Sequence, residues 1–425
     1  MTEIAPFQAV LYNQERIKDL SSVACPPYDV ISSLQQKYYY ELDPYNLIHI
    51  LLGKDISGED KYQRADRTFK DWLKEKVLIQ DQKPAVYFYF QEYRIRGEKK
   101  ARMGFIGRLF LEEKKASIFT HEHTRLEPKE DRLKLLRAVR ANLSPIFVIF
   151  PDKRRTINML YKHVSANQPF INIEDKEGIT HKLWRITDVA VLSKLKGDMR
   201  QASIFIADGH HRYEVARAFR EEIRKEAGDL AHDASANYIL TYFTSAESQG
   251  LTILPIHRLV TLNNGPEITS VISSLKDYFE VEEIKDKARL FFLMEKAGSN
   301  EHVFGLYHGG QYWFLRFRNK GKSEKLFKSQ PDCLRLLDVS LLNNLVFYKI
   351  LQLDIQDERL ITYSNNPDEL IRQAQADTLK LAFFLNPVKV AQITSVALAG
   401  ERMPAKSSYF YPKVLSGLVV NKHED

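Results

Sequence analysis

The chain has 425 residues, of which 44% are hydrophobic and 28% are charged, and its formal net charge is +7. This composition is typical of a globular protein and excludes a collagen-like, coiled-coil or largely disordered chain. Two cysteines are too few for a disulfide framework or a four-cysteine zinc site. Because no apolar run reaches the roughly 20 residues of a membrane helix and the N-terminus lacks a secretory pattern, we expect a soluble cytoplasmic protein without a membrane partner.

The N-terminal part of the chain predicts a rigid loop, a helix and a β-hairpin. Two adjacent prolines in the segment 25–30 fix backbone dihedrals and predict the loop. Apolar residues recur at helical spacing over 61–78 and predict an amphipathic helix. Two runs rich in aromatic and β-branched residues, 85–93 and 102–111, flank a glycine-containing turn and predict the hairpin.

Helices and strands continue to mix up to residue 260. The predicted helices lie over 129–141, from Thr187 to Gly197 and from Arg212 onwards. The predicted strands lie over 144–150, 203–207, 237–243 and 251–260, and we expect the last two to pair in antiparallel fashion. Because strand and helix do not alternate strictly, the pattern favours an α+β fold with mixed sheets and packed helices over a doubly wound sheet.

The turn cluster at 263–265, Asn-Asn-Gly, marks the predicted domain boundary. Beyond it, Gly309 and Gly310 separate two aromatic-rich strands and predict a second hairpin. Helices are expected near 337–351, 366–377 and 387–399, with a strand over 379–385. The predicted domains are an α+β core over 1–262, a smaller α/β subdomain over 263–330, and a C-terminal segment over 331–425 that packs back on the core.

The strongest candidate for a ligand site is the segment 203–219, SIFIADGHHRYEVARAF, in which a strand turns into a helix. A helix N-terminus carries unpaired N–H groups and a partial positive charge, so it favours an anion such as phosphate. Glycine lets a ligand approach the backbone, and arginine offers a planar pair of donors for phosphate oxygens. The candidate phosphate-binding residues are Asp208, Gly209, His210, His211 and Arg212.

Two other interpretations of this segment stay open. In the first, Asp208 caps the helix and the two histidines are solvated surface residues. In the second, His210 and His211 bind a metal ion, although helical metal sites usually use histidines four residues apart.

A second candidate site lies just before and inside the helix predicted at 129–141. Its polar residues are His121, Glu122, His123, Lys129, Asp131 and Arg132. Either carboxylate could act as a general base, and the two cations could hold a phosphate. The two histidines, at i and i+2, could bind metal, and the remaining alternative is an exposed charged loop and helix start.

Two further segments are candidates for substrate or accessory contacts. The segment 404–413 interleaves Lys406 and Lys413 with aromatic residues that include Tyr409, a combination that suits phosphate contact and base stacking. A packed edge strand is the alternative. Tyr28 and Asp29 follow the two prolines, and a rigid loop can position a ligand group, although an ordinary turn would have the same residues.

Several motifs resemble the domain of unknown function 1015 family. They are VACPPYDVI at 23–31, THEHT at 120–124, PKEDRLKLLRAVRANLSPIF at 128–147, IADGHHRYEVA at 206–216, GLTILPIHRLV at 250–260, LDVSL at 337–341 and PAKSSYFYPKVLSG at 404–417. Because these motifs extend over nearly the whole chain, the resemblance implies membership of the family. It implies little chemistry, since the family is named for its unknown function.

The strand, turn and Gly-His-His-Arg helix start are also similar to the nucleotide-binding corner of the ParB and sulfiredoxin-like superfamily. This resemblance implies a core of that type, with Gly209, His211 and Arg212 holding nucleotide phosphates. His210 stands where the sulfiredoxin pattern has a nucleophilic cysteine, so sulfinic-acid repair is not expected. The chain shows no helix-turn-helix pattern that would support ParB-like DNA partitioning.

The leading functional expectation is a nucleotide-binding phosphotransferase or nucleotide hydrolase of ParB-like type, which would use ATP, ADP or CTP with magnesium. Glu122, Asp131 and His210 are the candidate catalytic residues. One alternative is a non-catalytic regulatory protein that binds a nucleotide, a phosphorylated small molecule or a nucleic acid. Another is a metal-dependent hydrolase that uses the histidines at 121, 123, 210 and 211.

Overall fold

The computed structural model describes residues 1–112, 117–122, 124, 126–262, 267–318, 330–335, 337–354, 357 and 359–423. The chain forms two compact units. The first unit comprises Met1–Thr120, Thr124–Thr252 and Pro412–Asp425, and the second comprises His121–His123 and Ile253–Tyr411. The predicted boundary at 263–265 lies outside the described residues.

The first unit contains strands β1 to β12 and β21. In chain order the strands are β1 (Ile4–Ala5), β2 (Val10–Tyr12), β3 (Leu78–Gln80), β4 (Val86–Ile95), β5 (Glu98–Phe110), β6 (Ile118–Phe119), β7 (Ala141–Asn142), β8 (Ile146–Phe150), β9 (Ile171–Glu174), β10 (Thr180–Ile186), β11 (Ile204–Asp208), β12 (Tyr238–Ser245) and β21 (Asn421–Lys422). The α-helices are α1 (Leu20–Val23), α2 (Ser33–Leu42), α3 (Ile48–Leu51), α4 (Lys61–Lys74), α5 (Leu126–Val139), α6 (Thr156–Val164), α7 (Val189–Met199) and α8 (His210–Ala227). Short 3-10 turns lie at Tyr28–Val30 and Ser235–Asn237.

A nine-stranded sheet forms the centre of the first unit. Its spatial order is β6-β11-β8-β12-β5-β4-β10-β9, with β1 also paired to β5. Every residue of β8 is buried, as expected for a strand in the middle of a sheet. β12 runs parallel to β8, with Ser245 opposite Phe150, so the carboxyl ends of these two strands lie side by side. β11 runs antiparallel to β8, so Asp208 at its end pairs with Phe147 near the beginning of β8.

Helices α6, α7 and α8 pack against this sheet through apolar side chains. Leu160 of α6, Met199 of α7 and Ala216 of α8 belong to the same buried cluster as the sheet residues Phe105 and Val148. Burial of a side chain the size of Leu160, Met199 or Phe105 contributes roughly 1.5–3 kcal/mol to folding, so this cluster holds α8 against the sheet.

Most predicted elements of the first unit are present, with shifted ends. The helix predicted over 61–78 is α4, and the hairpin is β4 and β5, which turn at Arg96 and Gly97 with φ angles of 49° and 82°. The helix predicted from Thr187 begins instead after Asp188, whose side chain accepts a hydrogen bond from the first turn. α8 begins two residues before Arg212, the predicted start.

The second unit is built on a six-stranded antiparallel sheet. The strands that follow β12 are β13 (Thr252–Leu254), β14 (His257–Thr261), β15 (Phe279–Ile284), β16 (Val303–His308), β17 (Gln311–Phe317), β18 (Ile361–Ser364), β19 (Lys380–Phe384) and β20 (Tyr409–Tyr411). The sheet order is β15-β17-β16-β19-β14-β18. The helices are α9 (Ile268–Lys276), α10 (Lys287–Ala297), α11 (Asp332–Arg335), α12 (Asp338–Leu341), a π-helix (Leu342–Ile350), α13 (Pro367–Gln375) and α14 (Val390–Leu398).

Both faces of this second sheet are buried. Phe304 and Leu306 of β16 belong to one apolar cluster, whereas Val303 and Tyr307 of the same strand belong to another. Because side chains alternate across a strand, the two clusters lie on opposite faces. The second unit therefore has its own hydrophobic cores, and the protein is a mixed α+β structure with several sheets.

One predicted pairing is wrong and another is confirmed. β12 does not pair with the strand region 251–260, because β14 pairs with β18 and β19 of the second unit's sheet. The hairpin predicted around Gly309 and Gly310 is β16 and β17, and both glycines have positive φ angles. Among the described residues, no helix combines the length and the apolar character that a membrane span needs.

Candidate functional site

The turn between β11 and α8 is built around Gly209. Its φ angle is +92°, a conformation that favours glycine, and a Cβ atom there would lie 3.0 Å from the Arg212 guanidinium and from Ile146. Gly209 occupies the cap position of α8 and has no side chain to accept from the first-turn N–H groups. The first turn of α8 is therefore the kind of helix N-terminus at which an anion is stabilised.

Asp208 bridges two cations at this turn. Its carboxylate accepts a hydrogen bond from Arg212 Nη2 at 2.6 Å and another from Lys413 Nζ at 2.6 Å. Burial alone would raise the pKa of the Asp208 carboxyl, but Lys413 and Arg212 hold it well below its usual range. Asp208 is therefore ionised, and it fixes the positions of both cations.

Arg212 is further oriented by the backbone. Its Nη1 donates to the carbonyl oxygen of Pro145, just before β8. Burial would lower the pKa of the guanidinium, but the negative charges of Asp208 and Asp29 raise it. Arg212 thus remains a fixed cation whose planar donor face is set by Asp208 and Pro145.

Helix α5 brings a second guanidinium to the loop that carries Tyr28. Arg132 lies over the Tyr28 ring at 4.4 Å from its centroid, and it donates to the Leu51 carbonyl at 2.6 Å and to the Asp131 carboxylate at 2.8 Å. Burial first, and then the charge of Asp29, raise the pKa of Tyr28 to about 12. The Tyr28 hydroxyl therefore stays protonated at neutral pH and can donate a hydrogen bond.

Tyr28, Arg132 and Arg212 line one cavity of about 60 Å³, together with Asn142 and Ser144. Tyr28, Arg132 and Arg212 belong to segments that are far apart in the sequence: the loop after the two prolines, helix α5 and the start of α8. The cavity is small beside the roughly 300–1,000 Å³ of a typical small-molecule pocket. It has room for a small polar group between two guanidinium groups and a tyrosine.

Lys129 and Asp131 of the second candidate site form polar contacts within the first unit. Lys129 Nζ donates to Glu214 of α8 at 3.0 Å, which joins α5 to α8. Asp131 accepts from the Tyr62 hydroxyl at 2.8 Å in addition to Arg132. Burial would raise the pKa of the Asp131 carboxyl, but Arg132 and Tyr62 lower it, so this carboxylate is a weak base.

The remaining candidates of the first unit differ in exposure. His210 is buried beside Asp208, and its charge is among the influences that lower the pKa of that carboxyl. His211 is half-buried, and Asp29 is exposed. Lys413 is the one residue of the 404–413 segment that we find bonded to Asp208.

Several sequence candidates belong to the second unit. His121 is buried, and its carbonyl accepts from the Met403 N–H at 2.7 Å, while Glu122 pairs with the same residue through a β-bridge. Lys406 has a φ angle of 56°, and its carbonyl accepts from the buried Arg258. Tyr409 begins β20. His123 lies outside the described residues.

In the described part of the chain, which leaves out His123, no group of three or more His, Cys, Asp or Glu side chains is close enough to hold a metal ion.

Two residues near the site were not anticipated from the sequence. Glu214 lies in the same motif as Arg212, one helical turn after His210, and this i, i+4 spacing would have been sufficient to place it beside the N-terminus of α8. Tyr62, by contrast, gave no signal because its contact with Asp131 joins two residues that are 69 positions apart in the sequence.

The chain shows distant similarity to several solved structures. No curated protein matches the chain. Among solved structures, a conserved hypothetical protein from Pyrococcus furiosus is 14% identical, with 72% of this chain and 92% of that chain covered and a TM-score of 0.33. SbnI with a C-terminal truncation, from Staphylococcus aureus, is 11% identical over 74% of this chain and 86% of that chain, with a TM-score of 0.36.

A free serine kinase in complex with AMP is 13% identical over 69% of this chain and 83% of that chain, with a TM-score of 0.31. TM-scores of this size do not establish a shared fold. The family comparison is decisive by contrast, because a family model matches residues 4–340, which is most of the chain. The chain therefore belongs to the family described as protein of unknown function DUF1015.

Proposed function

We propose that this protein binds a nucleotide through its phosphate groups at the turn between β11 and α8, and that it transfers or hydrolyses a phosphoryl group there. The observation that carries the proposal is the cavity of about 60 Å³ that Tyr28, Arg132 and Arg212 line together. Two guanidinium groups at one cavity suit phosphate, because both are positively charged and a guanidinium has five N–H donors, more than the bonds to Asp131, Leu51, Asp208 and Pro145 use. The proposal includes the role that the resemblance to the ParB and sulfiredoxin-like superfamily implies for Gly209, His211 and Arg212, which is to hold nucleotide phosphates.

The size of the cavity limits what enters it. We assign one phosphoryl group of the nucleotide to this cavity of about 60 Å³ and place the sugar and base outside it. Arg212 lies in the first turn of α8 and lines the cavity, and the partial positive charge of a helix N-terminus favours an anion there. Lys413 supports the site indirectly. Its bond to Asp208 partly neutralises that carboxylate, whose negative charge would otherwise repel a phosphate.

Phosphoryl transfer depends mainly on positioning and on stabilising charge, commonly with magnesium. Magnesium is usually held by one or two carboxylates together with the phosphates. Asp29 fits that role because it is exposed and close enough to Arg212 to raise the pKa of the guanidinium. We assign Asp131 to the positioning of Arg132, since the low pKa of its carboxyl makes it a poor base.

His210 remains a proposed catalytic residue, because it is buried beside Asp208 at the turn between β11 and α8. Glu122 belongs to the second unit, so we assign it no role at this site. The nucleotide candidates are ATP, ADP and CTP. A regulatory protein that binds the nucleotide without turnover is the second candidate, favoured because Asp131 and Lys129 are already engaged by Tyr62 and Glu214.

The test is isothermal titration calorimetry of the full chain with AMP, ADP, ATP and CTP, in the presence of magnesium. Arg132→Ala is expected to weaken binding by at least tenfold, because a charge-assisted hydrogen bond to phosphate contributes roughly 1.5–3 kcal/mol. Arg137→Ala is the matched control, since Arg137 lies on the same helix and pairs with Glu222 of α8 at 2.6 Å, away from the cavity. Failure of all four nucleotides to bind would refute the proposal.

Turnover separates the two candidate functions. Release of phosphate, or transfer to an added alcohol, would be followed with the nucleotide that binds most tightly. Loss of turnover in Arg132→Ala with turnover kept in Arg137→Ala supports the enzyme. Binding without any turnover supports the regulatory protein instead.

A further inference from the structure

A second and larger cavity lies in the first unit, at the carboxyl ends of β8 and β12. It has a volume of about 680 Å³. The loops that follow the two strands form its walls, and β5 contributes Ala101 and Met103. The polar residues that line it are Asp152, Lys153, Arg155, Asn158, Ser245, Glu247, Ser248 and Gln249. We call this cavity the β8–β12 crevice.

The β8–β12 crevice is separate from the proposed nucleotide site. Asp208 pairs with Phe147 near the beginning of β8, whereas the crevice begins after Phe150 at the other end of that strand. Crevices at the carboxyl ends of neighbouring parallel strands are common ligand sites in α/β sheets. The position of this crevice is therefore that of a candidate ligand site.

The loop after β12 is fixed tightly on β5. A Cβ atom at Gly250 would lie 1.8 Å from the carbonyl oxygen of Ala101, so only glycine allows this approach. The buried Tyr93 hydroxyl donates to the Gly250 carbonyl at 3.0 Å and lies 2.6 Å from Thr252 Oγ1. The floor of the crevice is consequently held in place without any ligand.

The carboxylates of the crevice are used within its walls. Asp152 accepts from the N–H groups of Thr156 at 2.6 Å and Ile157 at 3.0 Å, and so caps α6. Glu247 Oε2 accepts from the Asp152 N–H at 3.1 Å and from the Ser245 hydroxyl at 2.8 Å. Both negative charges therefore stabilise the two loops.

The cations of the crevice are not used in this way. Lys153 and Arg155 are exposed, and within the described part of the chain neither side chain has a hydrogen bond or an ion pair. The intervening Arg154 is different, because it donates to the Gly197 carbonyl at 3.3 Å and to Asp198 at 3.2 Å. Two uncommitted cations thus face a cavity whose carboxylates are already hydrogen-bonded.

We propose that the β8–β12 crevice binds a phosphorylated small molecule, with its phosphate between Lys153 and Arg155. A phosphate monoester carries about −1.5 to −2 charge at neutral pH, which two cations match better than the single charge of a carboxylate. A volume of about 680 Å³ holds the rest of such a molecule. Asn158, Ser248 and Gln249 offer hydrogen bonds to its hydroxyl groups, and Met103 offers an apolar contact.

The probe for this proposal is ribose 5-phosphate, titrated into the full chain by calorimetry, with ribose and citrate as comparison probes. The double variant Lys153→Ala/Arg155→Ala removes two exposed side chains, so its fold and thermal unfolding are expected to match those of the parent. Binding of ribose 5-phosphate is expected to weaken by at least tenfold in this variant. Arg154→Ala is the matched control and is expected to bind like the parent.

The outcomes distinguish this proposal from the nucleotide proposal. Ribose 5-phosphate binding that persists in Lys153→Ala/Arg155→Ala, or that is lost in Arg132→Ala instead, overturns the crevice. Failure of the probe to bind the parent, or tighter binding of citrate than of ribose 5-phosphate, also overturns it. If AMP does not bind but the expected ribose 5-phosphate pattern holds, the nucleotide proposal fails and the crevice stands.

Discussion

The Asp208 ion-pair network gives the sharpest test of how the candidate site is held together. The substitution Asp208→Asn keeps the size of the side chain but removes the charge that Arg212 and Lys413 share at 2.6 Å each. It leaves two cations close together with no carboxylate between them. We expect the first unit to lose stability for this reason.

The expected loss follows from the burial of the three side chains. Their exposed fractions are 16% for Asp208, 11% for Arg212 and 12% for Lys413. Removing one partner of a buried ion pair costs about 3–5 kcal/mol, because the remaining charge stays buried and unpaired. Since all three side chains keep some contact with solvent, we expect the lower end, about 3 kcal/mol.

The loss of stability depends on pH in a defined direction. Burial would raise the pKa of the Asp208 carboxyl, but Lys413 and Arg212 hold it well below the unfolded value near 3.8. The network therefore contributes its full stability above the unfolded pKa and loses it as pH falls toward the folded pKa. The difference between parent and Asp208→Asn is expected to be largest near pH 7 and to shrink below about pH 4.

The assay is urea denaturation at pH 7 and at several lower pH values, with the free energy of unfolding compared between variants. Glu222→Gln is the matched control, because Glu222 of α8 pairs with Arg137 of α5 in the same unit but half of the Arg137 side chain is exposed. An exposed pair of this kind is worth about 0–1 kcal/mol. Equal losses in Asp208→Asn and Glu222→Gln would refute the reasoning, as would a loss in Asp208→Asn that does not change with pH.

Three further predictions concern other parts of the first unit. In urea denaturation, Gly250→Ala should destabilise the protein by more than about 2 kcal/mol, because the added Cβ would meet the Ala101 carbonyl. Gly197→Ala is the control: Gly197 lies on α7 with open space around it, so this change should stabilise the protein by up to about 1 kcal/mol. Lys129→Ala should cost less than about 1 kcal/mol of stability, since its pair with Glu214 is about 30% exposed, and should weaken nucleotide binding less than Arg132→Ala does in calorimetry. Burial lowers the pKa of His423 to about 4, so the folded state resists protonation of this imidazole. The free energy of unfolding should therefore fall as pH drops from about 6.5 to 4. In denaturation measurements, His423→Gln should make that fall shallower.

Local signals in the sequence predicted local structure well. The apolar stripe of α4 and the aromatic runs of β4 and β5 give correct elements because 3.6- and 2-residue periods are visible within a short window. The predicted pairing of 251–260 with 237–243 was wrong, because the actual neighbours of β14, which are β18 and β19, lie about 100 residues further along the chain. Strand pairing over such distances depends on the packing of whole layers, which no short window contains.

The candidate site shows the same division between local and distant information. The turn at Asp208 and Gly209 was predicted because strand, glycine and helix start are consecutive in the sequence. The bond from Lys413 to Asp208 joins residues 205 positions apart, and nothing in the sequence indicates which charge Lys413 meets. The β8–β12 crevice was missed entirely, because its cations lie in an unremarkable loop and only the parallel pairing of two strands makes it a cavity.

The two proposed sites use their cations in opposite ways, and this difference sets how each should respond to salt. Arg212 is mostly buried and already paired with Asp208, so an incoming phosphate shares a charge that the protein has partly neutralised. Lys153 and Arg155 are exposed and have no ion pair within the described part of the chain, so attraction at the crevice is stronger at low salt but more readily screened. Because the Debye length falls from about 10 Å at 0.1 M to about 3 Å at 1 M salt, binding at the crevice should weaken far more over that range than binding at Arg212.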